Sequence, residues 1–308
     1  MTITSSPTSS SGRTAQPIDR ATLSRRLLTT AKKHSFDPFV ELDLDAEIDP
    51  DVFWASPQLT SLYGTPLWDE MTHRQRVELS KHELASMYHV ELWVETALMQ
   101  MLVRYVYDLP GDSPEAWHVW TEIAEECRHS TMFGRVIAAA GCPDYSPGWL
   151  PHLLARAFKT MSSPTMTMAG ALFFEEYGDT LQRVTAKDDT IQPLVRQASL
   201  IHVVEEARHI QFARDELSRR VPELNVGEKA ALRAVLGPFA VVVVDNMVHP
   251  DVYANVGLPA ERAKAEARKN RHHHETIRWA SQRSVELFES HGLVGPLTRA
   301  LWKRSHVL

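Results

Sequence analysis

The chain has 308 residues, of which 44% are hydrophobic and 23% are charged, and its formal net charge is -6. This composition is typical of a globular protein that can bury a sizeable core. A negative net charge argues against nucleic acid as the main partner, because phosphates need an excess of cations to neutralise them. The two cysteines, Cys127 and Cys142, are too few for a disulfide framework. We therefore expect a cytoplasmic protein.

The most polar and the most apolar stretches of the chain give two further predictions. Residues 1–17 are rich in Ser, Thr and Pro and lack the apolar stretch of a signal peptide, which predicts a disordered tail. Residues 18–308 are predicted to form one helical domain. The most apolar stretch, residues 230–248, is interrupted by charged residues and by Pro238, so it predicts a buried, kinked helix and no membrane span.

Helical patterns dominate the chain, and no strand alternation or hairpin turn is evident. An irregular segment, residues 36–70, is rich in Pro, Asp and aromatic residues. The predicted helices cover residues 18–34, 72–107, 114–141, 147–187 (with an interruption near Ser163 and Pro164), 189–220, 226–248 and 258–290.

Two pairs of glutamate and histidine have the spacing of metal ligands on helices. Glu126 precedes His129 by three residues, and Glu206 precedes His209 by three residues, with His202 one turn earlier. Each helical residue turns by about 100°, so the members of each group share one face. Helical bundles build carboxylate-bridged dinuclear sites from two such pairs and one inward glutamate from each of two further helices.

Those two further glutamates each have two candidates. In the helix at 72–107, Glu91 and Glu95 both lie on or beside the apolar stripe, and the helical phase does not choose between them. In the helix at 147–187, Glu175 shares a face with Asp179 and points inward more plausibly than Glu176. Four carboxylates offset most of the charge of two divalent metals, and imidazole ligands favour iron, manganese or zinc.

Glu125 and Glu205 occupy equivalent positions in a short internal echo, EECRH and EEARH. We predict that both accept hydrogen bonds from metal-binding histidines and fix their tautomer and orientation. The alternative is that they are surface carboxylates paired with Arg128 and Arg208. Asp179 is assigned a supporting role of the same kind.

Three segments resemble the AurF-type arylamine N-oxygenases, which are ferritin-like di-iron proteins. They are LSKHELASMYHVELWVETALMQMLVR (79–104), TEIAEECRHSTMFGR (121–135) and HVVEEARHIQFARDE (202–216), and the resemblance extends over about residues 70–255. Its most specific element is the third histidine, His202. The resemblance implies an all-α ferritin-like bundle with a four-helix metal core at about residues 72–220 and extra peripheral helices.

The resemblance also implies a ligand set and a reaction. The implied metal ligands are Glu95, Glu126, His129, Glu175, His202, Glu206 and His209, with Glu91 and Glu176 kept as alternatives to Glu95 and Glu175. They would hold two iron ions, or manganese, that activate dioxygen and N-oxygenate an arylamine such as p-aminobenzoate towards hydroxylamine and nitro products. An unidentified donor would supply electrons, and a homodimer is a further expectation. The alternatives are a di-iron hydroxylase or desaturase that acts on an aliphatic substrate, and a non-catalytic metal-binding bundle.

Overall fold

Thirteen α-helices make up most of the computed structural model, which describes residues 19–44 and 46–308. They are α1 (Arg20–Ala31), α2 (Pro38–Glu41), α3 (Pro66–Glu70), α4 (His73–Tyr107), α5 (Pro114–Ala140), α6 (Trp149–Met161), α7 (Pro164–Thr185), α8 (Pro193–Arg220), α9 (Val226–Asn246), α10 (Val252–Asn255), α11 (Ala260–Ala267), α12 (Arg271–Ser290) and α13 (Arg299–Arg304). Within those ranges, strand pairing is limited to one isolated bridge between Phe53 and Ile191. The all-α prediction is confirmed. The predicted tail, residues 1–17, lies outside the described residues.

Helices α4, α5, α7 and α8 form a four-helix core. Helix α4 packs along α5, and α7 packs along α8, while contacts between α5 and α8 and between α4 and α7 close the bundle. Helix α6 lies in the crossover between the two pairs. The peripheral helices cover this core: α1 packs on α5 and α8, α12 packs on α7, and α9 packs on α7 and α4. The residues with metal-ligand spacing therefore lie on all four core helices.

Local sequence signals explain where the core helices begin and end. Thr72 forms a reciprocal capping box with Gln75 at the start of α4. Ser113 caps α5 by accepting a hydrogen bond from a backbone N–H, and Pro114 occupies the first helical position, where its missing N–H costs nothing. Gly141 ends α5 in the left-handed conformation, with φ of 61°.

The C-terminal third contains more helices than the sequence predicts. The helix predicted over 258–290 is divided into two helices, α11 and α12, by a short turn that ends at Asn270. The Asn270 side chain caps α12 by accepting a hydrogen bond from the backbone N–H of His272. The same side-chain amide donates to the backbone carbonyls of Ser61 and Tyr63. The short helices α10 and α13 were not predicted from the sequence.

The apolar helix α9 is buried on one side only, which corrects the prediction of a buried helix. Leu232, Leu236 and Ala240 are buried, whereas Ala234 and Pro238 are exposed. Across the described part of the chain, no helix has the length and apolarity needed to cross a membrane.

The left-handed end of α5 gives a stability prediction. We expect Gly141→Ala to lower the free energy of unfolding by about 1 kcal/mol, because a Cβ atom disfavours positive φ. An added Cβ would meet no atom within 4 Å, so the cost is conformational and not steric. Urea titration measures the change. Gly111→Ala, which has equal free space and no positive φ, is the matched control and should be neutral or stabilising. Equal destabilisation by both substitutions would contradict this account.

Candidate metal centre

Seven glutamate and histidine side chains from four helices meet inside the bundle. Together with one further carboxylate, Glu122, their ligand atoms fall into overlapping groups of three, and within each group all atoms lie within 4.8 Å of one another. Each of the seven side chains is at most 2% exposed. They are Glu95 on α4, Glu126 and His129 on α5, Glu175 on α7, and His202, Glu206 and His209 on α8. These are the residues for which the sequence proposed a ligand role.

The two rival glutamates have other partners. The Glu91 carboxylate accepts hydrogen bonds from Gln182 Nε2 at 2.9 and 3.1 Å. The Glu176 carboxylate accepts from Arg214 at 2.8 Å. Neither belongs to a metal-type group among the described residues. The geometry therefore favours Glu95 and Glu175 as the inward carboxylates.

Each of two histidines is held by a carboxylate from the opposite helix. His129 Nε2 lies 2.8 Å from Glu205, and His209 Nε2 lies 2.8 Å from Glu125. The other ring nitrogen, Nδ1, faces the cluster in both cases, at 3.1 Å from Glu126 for His129 and 2.9 Å from Glu126 for His209. If Nε2–H donates to the carboxylate, the lone pair on Nδ1 is free for a metal.

The same two carboxylates also bind arginines. Arg208 donates to Glu125 at 2.7 Å, and Arg128 lies 3.5 Å from Glu205, which also accepts from the backbone N–H of Phe36. Hydrogen bonding to histidine and pairing with arginine thus occur together. Both carboxylates are buried, at 2% and 0% exposure, so the surface alternative is wrong.

Asp179 is buried next to this cluster but has a different partner. Its carboxylate accepts from Arg183 at 2.7 Å and lies 3.6 Å from Arg283. The described hydrogen bonds do not link it to a candidate ligand histidine. Asp179 therefore pairs with two arginines, Arg183 of α7 and Arg283 of α12.

The cluster contains buried polar atoms that the described chain leaves without hydrogen bonds. Both carboxylate oxygens of Glu95, both of Glu175 and both ring nitrogens of His202 are in this state. Such atoms are costly to bury unpaired. Two divalent cations would satisfy them and would neutralise the four inward carboxylates. The mixed carboxylate and imidazole donor set fits iron or manganese.

The pKa values of the clustered glutamates and histidines are shifted because many ionisable groups are buried close together. Burial, followed by repulsion from neighbouring carboxylates, raises the pKa of Glu95 and of Glu175 well above the usual range. Burial opposes charge on His129 and His209, but their hydrogen bonds to carboxylates and the surrounding negative charge outweigh it and raise both pKa values. His202 lacks such bonds, and burial lowers its pKa to about 4.

The sequence reasoning missed Glu122 and His118. Glu122 groups with Glu126 and His209 in the metal-type arrangement, and His118 Nε2 lies 3.6 Å from the Glu122 carboxylate. Burial raises the pKa of Glu122 to about 8 and lowers that of His118 to about 3. The available signal was the repeated spacing of four residues, which places His118, Glu122 and Glu126 on one face of α5.

The comparison with known families agrees with the site. Residues 18–292 match the model of a protein family described as p-aminobenzoate N-oxygenase AurF. The chain belongs to this family. AurF proteins are di-iron oxygenases with a ferritin-like fold, so the fold class predicted from the sequence is confirmed.

Relatives of this AurF family member occur in mycobacteria. Proteins that carry the names uncharacterized protein Mb0909 of Mycobacterium bovis and uncharacterized protein Rv0885 of Mycobacterium tuberculosis are 29% identical to it over 203 residues. The alignment covers 62% of this chain and 58% of each relative. The chain thus spans less than two thirds of the curated relatives that it matches.

The crossed hydrogen bonds predict a dependence of metal affinity on Glu125 and Glu205. We expect Glu125→Gln or Glu205→Gln to weaken metal binding by about 10- to 100-fold, because the histidine loses the acceptor that fixes its tautomer. Calorimetric titration of the metal-free protein with Mn²⁺ measures the change. Glu275→Gln, at an exposed position on α12, is the matched control. Unchanged affinity in both site variants would refute the supporting role.

The raised pKa values predict a pH-dependent effect of metal removal. The raised pKa values of Glu95, Glu175, His129 and His209 mean that, above the ordinary pKa of each group, the folded metal-free chain binds protons that the unfolded chain has released, so the stability of the metal-free chain falls as the pH rises. Bound metal replaces those protons. We expect the difference in Tm between the Mn²⁺-loaded and the metal-free protein to increase by at least ~2 °C as the pH rises from 7 to 9.

Thermal unfolding of both forms across that pH range tests this expectation. The double variant Glu95→Gln, Glu175→Gln serves as the control, since it cannot ionise at two of the four positions. Its metal-free form should lose much of the pH dependence. A gap that stays constant between pH 7 and 9 in the unmodified protein would contradict the expectation.

Proposed function

We propose that this AurF family member is a dinuclear iron oxygenase that N-oxygenates an arylamine. The observation that supports this most directly is His202, a third buried histidine beside the two E-x-x-H pairs, with both ring nitrogens unpaired in the described chain. His202 Nε2 lies 3.6 Å from Glu95 and 3.7 Å from Glu206. It adds a nitrogen ligand to the four carboxylates and two histidines that a dinuclear bundle site needs.

The side chains prepare this site in two ways, and iron would add a third contribution. Glu125 and Glu205 hold His209 and His129 by their Nε2 atoms, so that the Nδ1 atoms stay aimed at the metals. Burial of the whole cluster keeps water away from reactive groups. Iron, when bound, supplies the redox chemistry that dioxygen activation requires.

The proposed reaction requires electrons from a reductant. Conversion of an amine to a hydroxylamine inserts one oxygen atom of dioxygen into an N–H bond, and the second oxygen atom leaves as water. The balance requires two electrons and two protons from a reductant. We therefore propose that a separate donor protein or small reductant serves this chain, and further oxidation of the hydroxylamine leads towards the nitro product.

Product analysis tests the proposed reaction. Iron is loaded anaerobically, and the protein is mixed with a panel of arylamines that includes p-aminobenzoate, a reductant and oxygen-18 dioxygen. We expect mass spectrometry to find oxygen-18 on nitrogen. The double variant His202→Ala, His209→Ala should lose at least ~100-fold of this activity, since two of the three imidazole ligands are gone.

The remaining outcomes separate the competing functions. If the protein binds two iron ions and consumes dioxygen but oxidises no amine, the arylamine assignment is wrong. That result would favour a hydroxylase or desaturase that acts on an aliphatic substrate. Metal binding without any dioxygen consumption would favour a non-catalytic bundle. A double variant as active as the unmodified protein would remove the reaction from this site.

A further inference from the structure

An apolar cavity of about 500 Å³ lies between helices of the bundle, at one end of the segments of α4 and α7 that carry candidate ligands. Helices α4, α6, α7 and α9 all contribute to its wall. Representative lining residues are Val94, Leu98, Phe158, Ala171, Phe239 and Val243. Phe158 reaches in from α6, stacks on Phe239 of α9 with ring centroids 5.1 Å apart, and lies over Gly170 of α7, where an added Cβ would stand 3.0 Å from its ring. Glycine at that position therefore lets the ring of α6 approach α7 closely.

The inner wall of this cavity is one helical turn from two candidate ligands. Leu98 follows Glu95 by three residues on α4, and Ala171 precedes Glu175 by four residues on α7. Residues three or four apart are neighbours on a helix surface. The candidate ligands themselves do not line the cavity, so a molecule in it would have one end about one helical turn from Glu95 and Glu175, whose oxygens are unpaired.

The described lining residues include no lysine, arginine or histidine. Ser162 supplies a hydroxyl, and Arg104, which is nearby, already donates to the backbone carbonyls of Lys159 and Ser162. Arg183 is bound to Asp179 and borders a different, surface cleft at the other end of α7. An anionic group at the inner end of the cavity would have apolar neighbours and no cationic partner among these lining residues, which disfavours it.

We propose that this cavity binds the body of the substrate, and that the substrate is an uncharged arylamine with an extended apolar substituent. This inference rests on the oxygenase function proposed above and restricts its substrate class. A carboxylate on the ring, as in p-aminobenzoate, would weaken binding in this cavity. The volume lies within the range of about 300–1,000 Å³ that pockets for drug-sized ligands occupy, which favours a substituent longer than a carboxyl group. The amine lies at the inner end, towards Glu95 and Glu175, and the apolar substituent lies towards α6 and α9.

Three ligands with the same ring and amine test the effect of charge and length. Calorimetry with the metal-free protein compares 4-aminobenzoate, its methyl ester and its butyl ester. We expect the methyl ester to bind at least ~10-fold more tightly than the acid, because it carries no charge. The butyl ester should bind at least ~10-fold more tightly than the methyl ester, since each buried methylene is worth roughly fourfold.

A substitution at the cavity wall ties this binding to the cavity. Ala234 lines it on α9 and is exposed, so Ala234→Trp occupies cavity space without disturbing the core. We expect this variant to weaken butyl ester binding by at least ~10-fold. Ala139→Trp, at an exposed position on α5 away from the cavity, is the matched control and should bind normally. Arg183→Gln should also leave ester binding unchanged.

The results distinguish this inference from the proposed reaction. Tighter binding of the acid than of both esters, or ester binding that Ala234→Trp leaves unchanged, overturns the cavity assignment. Binding or oxidation of 4-aminobenzoate that is lost in Arg183→Gln but kept in Ala234→Trp also overturns it and moves the substrate to the surface cleft. Ester binding that depends on Ala234, without oxidation of any amine by the iron-loaded protein, supports the cavity assignment and overturns the N-oxygenase reaction.

Discussion

The reciprocal hydrogen bonds between α5 and α8 are the constraint on which the rest of the site depends. Glu125 of α5 holds His209 of α8, and Glu205 of α8 holds His129 of α5. Each helix therefore carries both a candidate ligand and the support for the other helix's ligand. A shift of one helix along the other would separate both pairs at once, so the two bonds fix the relative register of the helices. The echo of EECRH and EEARH in the sequence reflects this two-way arrangement.

Much of the site could be predicted because helical spacing is rigid. A separation of three or four residues puts side chains on one face of a helix whatever the rest of the fold does. Glu126 therefore lies beside His129 on α5, and His202, Glu206 and His209 lie beside one another on α8, as the spacing predicts. The choice between Glu95 and Glu91, or between Glu175 and Glu176, could not be made in this way. Both members of each pair are buried, and they differ in partners from distant segments, Gln182 for Glu91 and Arg214 for Glu176.

The errors in the fold prediction have the same origin. Residues 258–290 have a continuous helical pattern, yet the helix is interrupted where Asn270 reaches the carbonyls of Ser61 and Tyr63, more than 200 residues away in the chain. Helix α9 is apolar enough for a fully buried helix, but part of its surface borders the cavity and not the core. Local sequence defines the periodicity of a helix, whereas its neighbours define which sides are covered.

If the proposed function holds, helix α6 would separate substrate exchange from metal retention. None of its residues is fully buried, and Trp149, Leu153 and Met161 expose 77%, 54% and 80% of their surfaces. Segments with so little buried area open at a small fraction of the free energy that global unfolding requires. The candidate metal ligands, in contrast, lie on four long helices that pack along one another. Transient detachment of α6 would therefore admit or release a bulky apolar molecule while α4, α5, α7 and α8 keep every candidate ligand in place.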